Sequence, residues 1–237
     1  MNITSGNSVP EHNGGGNHMV QDKTAVLQQA RQFVQAELGG DSSGHDWRHV
    51  ERVAVMAVRL AKETGADVFI CELAALLHDL ADEKLYASKE RRLEELASWL
   101  EQRGLEAEAV KHILDILSTM SFAGGQQPPV TTLEAQVVQD ADRLDAMGAI
   151  GIARTFAYGG WKGHAIYDPE RPPRSPEELT QEAYRSGRTT AVNHFYEKLL
   201  RLRDRMNTDA ARRLAGERHR FMEMYLEQLY REMDGKL

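Results

Sequence analysis

The dipeptide His78-Asp79 closes the run Val68 to Leu77, in which Glu72 is the only charged side chain. Such a run reads as a buried helix, apolar on every side. An imidazole and a carboxylate inside apolar packing cost several kcal/mol unless a partner satisfies them. A divalent cation suits both, because it binds neutral imidazole and ionised carboxylate. His49 supplies a third donor. It heads the stripe His49, Val53, Met56, Leu60, whose spacings of four, three and four turn it toward the core. A lone inward histidine would be read as an ordinary core residue; a second inward histidine and an aspartate downstream change that reading. Asp142 supplies a fourth donor, on the stripe Ala135, Val138, Asp142, Ala146. Together they form a mixed nitrogen and oxygen set. That set suits one divalent ion of Mn, Mg, Fe, Co or Ni, with manganese foremost, rather than a cysteine-rich structural zinc.

A metal held by four protein groups in octahedral geometry keeps positions for water and a phosphate oxygen. Proton handling needs a further group. Asp82, four residues after His78 and three after Asp79, falls on their face if the helix continues. Asp145, one turn beyond Asp142, is the alternative catalytic carboxylate. Lys84, Arg143, Arg154 and Lys162 are the expected phosphate-binding cations, Lys84 first because it follows a ligand helix directly. Arg52 lies on a more polar face and reads as a surface ion pair. His112, His194 and His219 are not counted as ligands: His194 reads as structural and His219 as exposed.

The elements that must position these groups are helical. There is no proline between Glu11 and Gln127 or after Pro176, and four of the seven lie from Pro169 to Pro176. Helices are predicted at about 20–38, 46–64, 68–81, 88–103, 106–119, 132–147, 149–158, 187–206 and 208–233. Asp67 and Thr208 are expected N-caps, Thr131 with Glu134 a capping box, and Gly39-Gly40, Gly65 and Gly104 stops. No segment alternates convincingly at period two, so the fold class is all-α. Residues 1–19, rich in Gly, Asn and Ser, read as a disordered tail or an expression-tag remnant with Met19 as the natural start, and 20–237 as the folded domain. The Gly-, Pro- and cation-rich segment 159–185 is expected to be a mobile lid, hinged at Gly159, Gly160 and Gly163.

A formal net charge of −7 argues against a whole-surface grip on a polynucleotide, yet leaves room for a small phosphorylated substrate. Cys71 is the only cysteine, so no disulfide can form within the chain. No apolar stretch has the length to span a bilayer and the first residues lack a signal core, so a cytoplasmic location is expected.

Several motifs carry a resemblance. Gly-His-Asp-Trp-Arg-His49-Val, Leu-Leu-His78-Asp79-Leu-Ala-Asp82-Glu-Lys84, Ser121-Phe122, Val138 through Asp142-Arg-Leu-Asp145 to Arg154-Thr-Phe156, and Asn193-His194 to Leu200 are together similar to a small bacterial subfamily of the HD-domain superfamily of metal-dependent phosphohydrolases. The similarity runs from about Thr24 to the C-terminus. It implies a five-helix core with extra C-terminal helices, and a metal held at the positions of His49, His78, Asp79 and Asp142. It also implies hydrolysis of phosphoester or phosphoanhydride bonds, often in nucleotides; some relatives convert nucleoside triphosphates to monophosphate and pyrophosphate. Two rival functions remain open: a metal or nucleotide sensor without turnover, and a phosphodiesterase of cyclic or linear dinucleotides.

Overall fold

A computed structural model describes residues 22–38, 46–81, 88–120, 130–175, 178–179 and 189–237. The predicted tail 1–19, the Gly39-Gly40 stop, Asp82, Lys84, Ser121-Phe122 and the end of the predicted lid lie outside them. The described residues contain helices and no strand. In chain order the helices are α1 (Lys23–Leu38), α2 (Trp47–Thr64), α3 (Val68–Leu77), α4 (Lys89–Glu101), α5 (Ala107–Thr119), α6 (Leu133–Asp145), α7 (Gly148–Lys162), α8 (Ala191–Glu197) and α9 (Asp209–Met233). Short 3-10 turns run over His78–Ala81, Leu199–Arg201 and Arg203–Arg205.

Helices α2, α3 and α6 pack against one another, with α1 and α5 on α3, and α7 and α9 against α6. Helix α3 is apolar all round because it is the centre of this arrangement: Phe69, Ile70, Cys71 and Leu73 to Leu77 are all buried. Burial pushes the Cys71 thiol up to about 12, with Glu134 and Asp67 adding to it, so this cysteine is an inert core residue. Asp67 and Thr208 cap α3 and α9 as the sequence predicts, accepting from Ile70 N and Ala211 N. Gly65 ends α2 in the left-handed conformation, at φ 81°.

Four local expectations are revised. The cap of α6 is Thr132, not Thr131, and Glu134 instead accepts from Asp67 N across the α2–α3 corner at 3.0 Å. The α-helix predicted to Ala81 ends at Leu77. The predicted helix 187–206 shortens, among its described residues, to α8 and two 3-10 turns. Finally, α7 runs on to Lys162, so Gly159 and Gly160 are helical. Helix α7 then stops at Gly163, φ 71°, where His164 N bonds Gly159 O at 2.8 Å and Gly163 N bonds Gly160 O at 3.2 Å. This double closure satisfies the last carbonyls, and needs the left-handed glycine.

Beyond Gly163 the chain is tied down rather than hinged. Ala191 N and Val192 N at the start of α8 bond the carbonyls of Ala165 and Ile166, each at 3.0 Å, and Asn193 Nδ2 bonds Arg171 O at 2.9 Å. Arg174 donates from Nε and a terminal nitrogen to the two oxygens of Glu197, at 2.9 and 2.8 Å, and Thr189 Oγ1 donates to the same carboxylate. Residues 165–175 are thus a strap, and the Arg174 charge is spent on a buried carboxylate. Burial alone would raise the Glu197 carboxyl, but Arg174 and Thr189 hold it below its ordinary value. A folded-state pKa below the unfolded one stabilises the fold above about pH 4.3 and loses that contribution as pH falls. The expected result is that wild type loses stability between about pH 5 and 3 more steeply than Glu197→Gln, measured by urea unfolding at each pH; parallel profiles would remove the pair from the acid response.

Candidate metal centre

His49 sits in the first turn of α2, where Asp46 caps the helix by accepting from His49 N at 2.8 Å. His78 and Asp79 open the 3-10 turn that ends α3. There, the Ala75 carbonyl lies 2.7 Å from His78 Nδ1. A carbonyl only accepts, so Nδ1 carries a proton and Nε2 is the nitrogen left for the carboxylates or a cation. Asp142 comes from the last turn of α6.

These four residues converge. His49 Nε2 lies 3.6 Å from Asp79 Oδ2 and 3.4 Å from Asp142 Oδ1. His78 Nε2 lies 3.2 Å from Asp79 Oδ1 and 3.9 Å from Asp142 Oδ1. The two imidazole rings meet edge to face at 5.3 Å. His49, His78 and Asp79 are all buried, and their ligand atoms fall within 4.8 Å of one another. Asp142 differs: its side chain is 36% exposed, so it stands at the rim of the group. His78 Nε2 is buried and makes no hydrogen bond within the described residues. A buried nitrogen of this kind is costly unless a proton or a cation occupies it and meets the carboxylates. Burial opposes a proton there, but Asp79 and Asp142 outweigh burial and lift His78 to about 10. The same negative field favours a dication, which would displace that proton. Two imidazole nitrogens and two carboxylates fit a divalent ion of the borderline to hard class.

Asp145, the alternative catalytic carboxylate, does not face this group of atoms. It is buried behind His49, with Oδ2 2.7 Å from His49 Nδ1. Arg52 donates to it bidentately, from Nε at 2.7 Å and a terminal nitrogen at 3.1 Å, and Arg154 donates at 2.6 Å. Burial would raise this carboxyl, but the bonds from His49 and Arg52 and the Arg154 charge hold it well below the usual carboxylate range. An ionised Asp145 only accepts, so His49 Nδ1 carries the proton and Nε2 points its lone pair at Asp79 and Asp142.

The expected phosphate-binding cations separate. Arg154 lies on Asp145. Arg143 donates to the Arg205 carbonyl and packs toward the 3-10 turns. Lys162 stands over the Trp161 ring at 4.1 Å. Lys84, like Asp82, is outside the described residues. Arg52, read as a surface ion pair, is indeed paired, but with a buried carboxylate that serves the site.

Sequence reasoning also missed Asp140. It is fully buried and accepts from Asn207 N and Nδ2 and from Thr208 N and Oγ1, at 2.8 to 3.0 Å, fastening α6 to the start of α9. Its only signal was a third acidic residue in Asp140-Ala-Asp142-Arg-Leu-Asp145. His219, expected exposed, is buried on α9, with Nε2 3.3 Å from Glu223. His112 lies 3.6 Å from Glu134. Among the described residues, no other His, Cys, Asp or Glu cluster of three or more comes together as closely as the one at His49.

An all-helical fold in which α2, the end of α3 and the end of α6 bring His, His-Asp and Asp together defines a class. The HD domain model matches residues 46–147, from the cap of α2 to just past α6, which spans five helices. The chain belongs to the HD-domain family. In particular it is similar to YpgQ of Bacillus subtilis, with 43% identity over 210 residues, 88% of this chain and 94% of that protein. The crystal structure of YpgQ in complex with ADP matches at 42% identity and a TM-score of 0.71, over 88% of this chain and 98% of that one. A Bacillus thuringiensis HD-superfamily hydrolase matches at 46% identity and a TM-score of 0.72, over 90% and 98%. A Lactobacillus plantarum protein matches at 40% and 0.77, over 89% and 98%. No helix among the described residues is long and apolar enough to cross a membrane.

Proposed function

We propose that this chain is a divalent-metal-dependent phosphohydrolase that acts on a nucleotide, cutting a nucleoside triphosphate at its α-phosphorus to release pyrophosphate. One observation carries the metal part: the buried, unbonded Nε2 of His78, turned with His49 Nε2 toward two carboxylates. The nucleotide part is supported by the ADP complex of YpgQ and the hydrolase part by the HD-superfamily hydrolase of Bacillus thuringiensis, both above 40% identical.

In this reading His49, His78, Asp79 and Asp142 hold one cation, with manganese foremost. When bound, it lowers the pKa of a coordinated water and neutralises charge on a phosphoryl group. Ala75 and Asp145 fix the two imidazoles with Nε2 available, so no reorientation is needed on binding. Asp145 is therefore a positioning residue, and Arg52 and Arg154 keep it ionised and aimed. Asp82 remains our assignment for the group that orients the attacking water or takes its proton, and Lys84 for a phosphate contact.

A hydrolysis screen over nucleoside triphosphates with each divalent metal tests the reading, and running the active pair in oxygen-18 water tests the bond cut. Label in the nucleoside monophosphate, with unlabelled pyrophosphate, is the expected result. Label in free orthophosphate with a nucleoside diphosphate co-product would move the attack to the terminal phosphorus. Inertness toward every nucleotide with every metal would end the hydrolase reading.

A further inference from the structure

Helix α7 has two unlike flanks on either side of its buried stripe Gly148, Gly151, Thr155 and Gly159. On one flank Phe156 packs into the core against Phe195 and Tyr225, each at 6.0 Å. On the other, Arg154 reaches Asp145 and the Nδ1 edge of His49, so this flank borders the metal centre from the Asp145 side. At 100° per residue, Tyr158 and Trp161 fall within about 60° of Arg154 on that flank. Neither is buried: Tyr158 is 44% and Trp161 56% exposed. Their rings stand 5.8 Å apart, His164 closes on Tyr158 edge to face at 6.3 Å, and Lys162 Nζ sits 4.1 Å from the Trp161 centroid. The result is an exposed aromatic platform with a cation at its edge, on a protein of net charge −7. From Arg154 to Trp161 the helix rises about 10 Å, the order of separation between a nucleotide's phosphates and its base.

We propose that Tyr158 and Trp161 form the stacking platform for the nucleobase of the substrate, with Lys162 as the charge that meets its ribose-phosphate edge. The inference rests on the nucleotide reading above and names the specificity element of that site. Exposed aromatic rings bind any base through its π-face, and a cation beside them favours an anionic ligand. Such a platform selects for nucleotides over base-free phosphates while discriminating weakly among bases.

The test compares ADP with inorganic pyrophosphate, which has the same phosphate count and no base, by calorimetry on the manganese-loaded full chain. Wild type should bind ADP more tightly than pyrophosphate. Trp161→Ala and Tyr158→Ala should each lose about tenfold in ADP affinity and none in pyrophosphate affinity, and Trp161→Phe should keep most of the ADP affinity. Unchanged ADP affinity in both alanine variants would overturn the platform while leaving the nucleotide reading intact. Equal losses for both ligands would also overturn it, since the residues would then serve the phosphates or the fold. Self-association of wild type that Trp161→Ala abolishes, with ADP affinity unaltered, would reassign the surface to a second copy of the chain. Absence of any ADP binding by wild type would overturn the nucleotide reading, and the platform with it.

Discussion

Replacing His78 with alanine should strip the bound metal and lower hydrolysis by on the order of a thousandfold or more, since several kcal/mol of transition-state stabilisation accompanies the cation. His78 would contribute Nε2 from a buried position, in the one close cluster of His, Cys, Asp or Glu found among the described residues. Elemental analysis of His49→Ala, His78→Ala, Asp79→Ala and Asp142→Ala, beside circular dichroism, separates lost ligation from lost fold. Asp142 is the most exposed member, and full occupancy and activity in Asp142→Ala would remove it from the ligand set.

The second large effect is expected at Asp145, which touches no substrate in this reading. Asp145→Asn keeps the shape but removes the charge that binds Arg52, Arg154 and the His49 proton. An amide can also turn its NH2 toward His49 Nδ1, which would move the imidazole proton to Nε2 and block ligation. The expected cost is about ten- to a hundredfold in metal affinity, the range seen when a carboxylate behind a metal-ligating histidine is lost. Activity should recover in part at high metal concentration, which a residue acting directly in proton transfer would not show. An unchanged metal affinity with a hundredfold slower turnover at saturating metal would return Asp145 to the catalytic role that its spacing from Asp142 first suggested.

How much of this was legible in the residues depends on what each signal encodes. The all-α class, the caps at Asp67 and Thr208, the stop at Gly65 and the inward turn of His49 are local properties of spacing and side-chain chemistry, and the structure reproduces them. His78-Asp79 stood out for the same reason, since polar groups closing an apolar run need a partner wherever the run packs. Distance between helices is not a local property. Nothing in the sequence says that Asp145, 96 positions after His49, lies behind that ring rather than beside the metal. Helical periodicity placed Asp142 and Asp145 on one side, but the packing of α6 on α2 decided that one reaches the cluster from its rim and the other is buried behind it. The same holds for the arginines, whose long side chains end several ångströms from their backbones: Arg154 and Arg143 went to a carboxylate and a carbonyl chosen by neighbouring helices. The strap shows the limit most plainly. Glycines and prolines in 159–175 signal that regular structure must end, which it does at Gly163. Whether the released chain swings or is fastened depended on Glu197, twenty-three residues beyond Arg174, being buried where Arg174 could reach it.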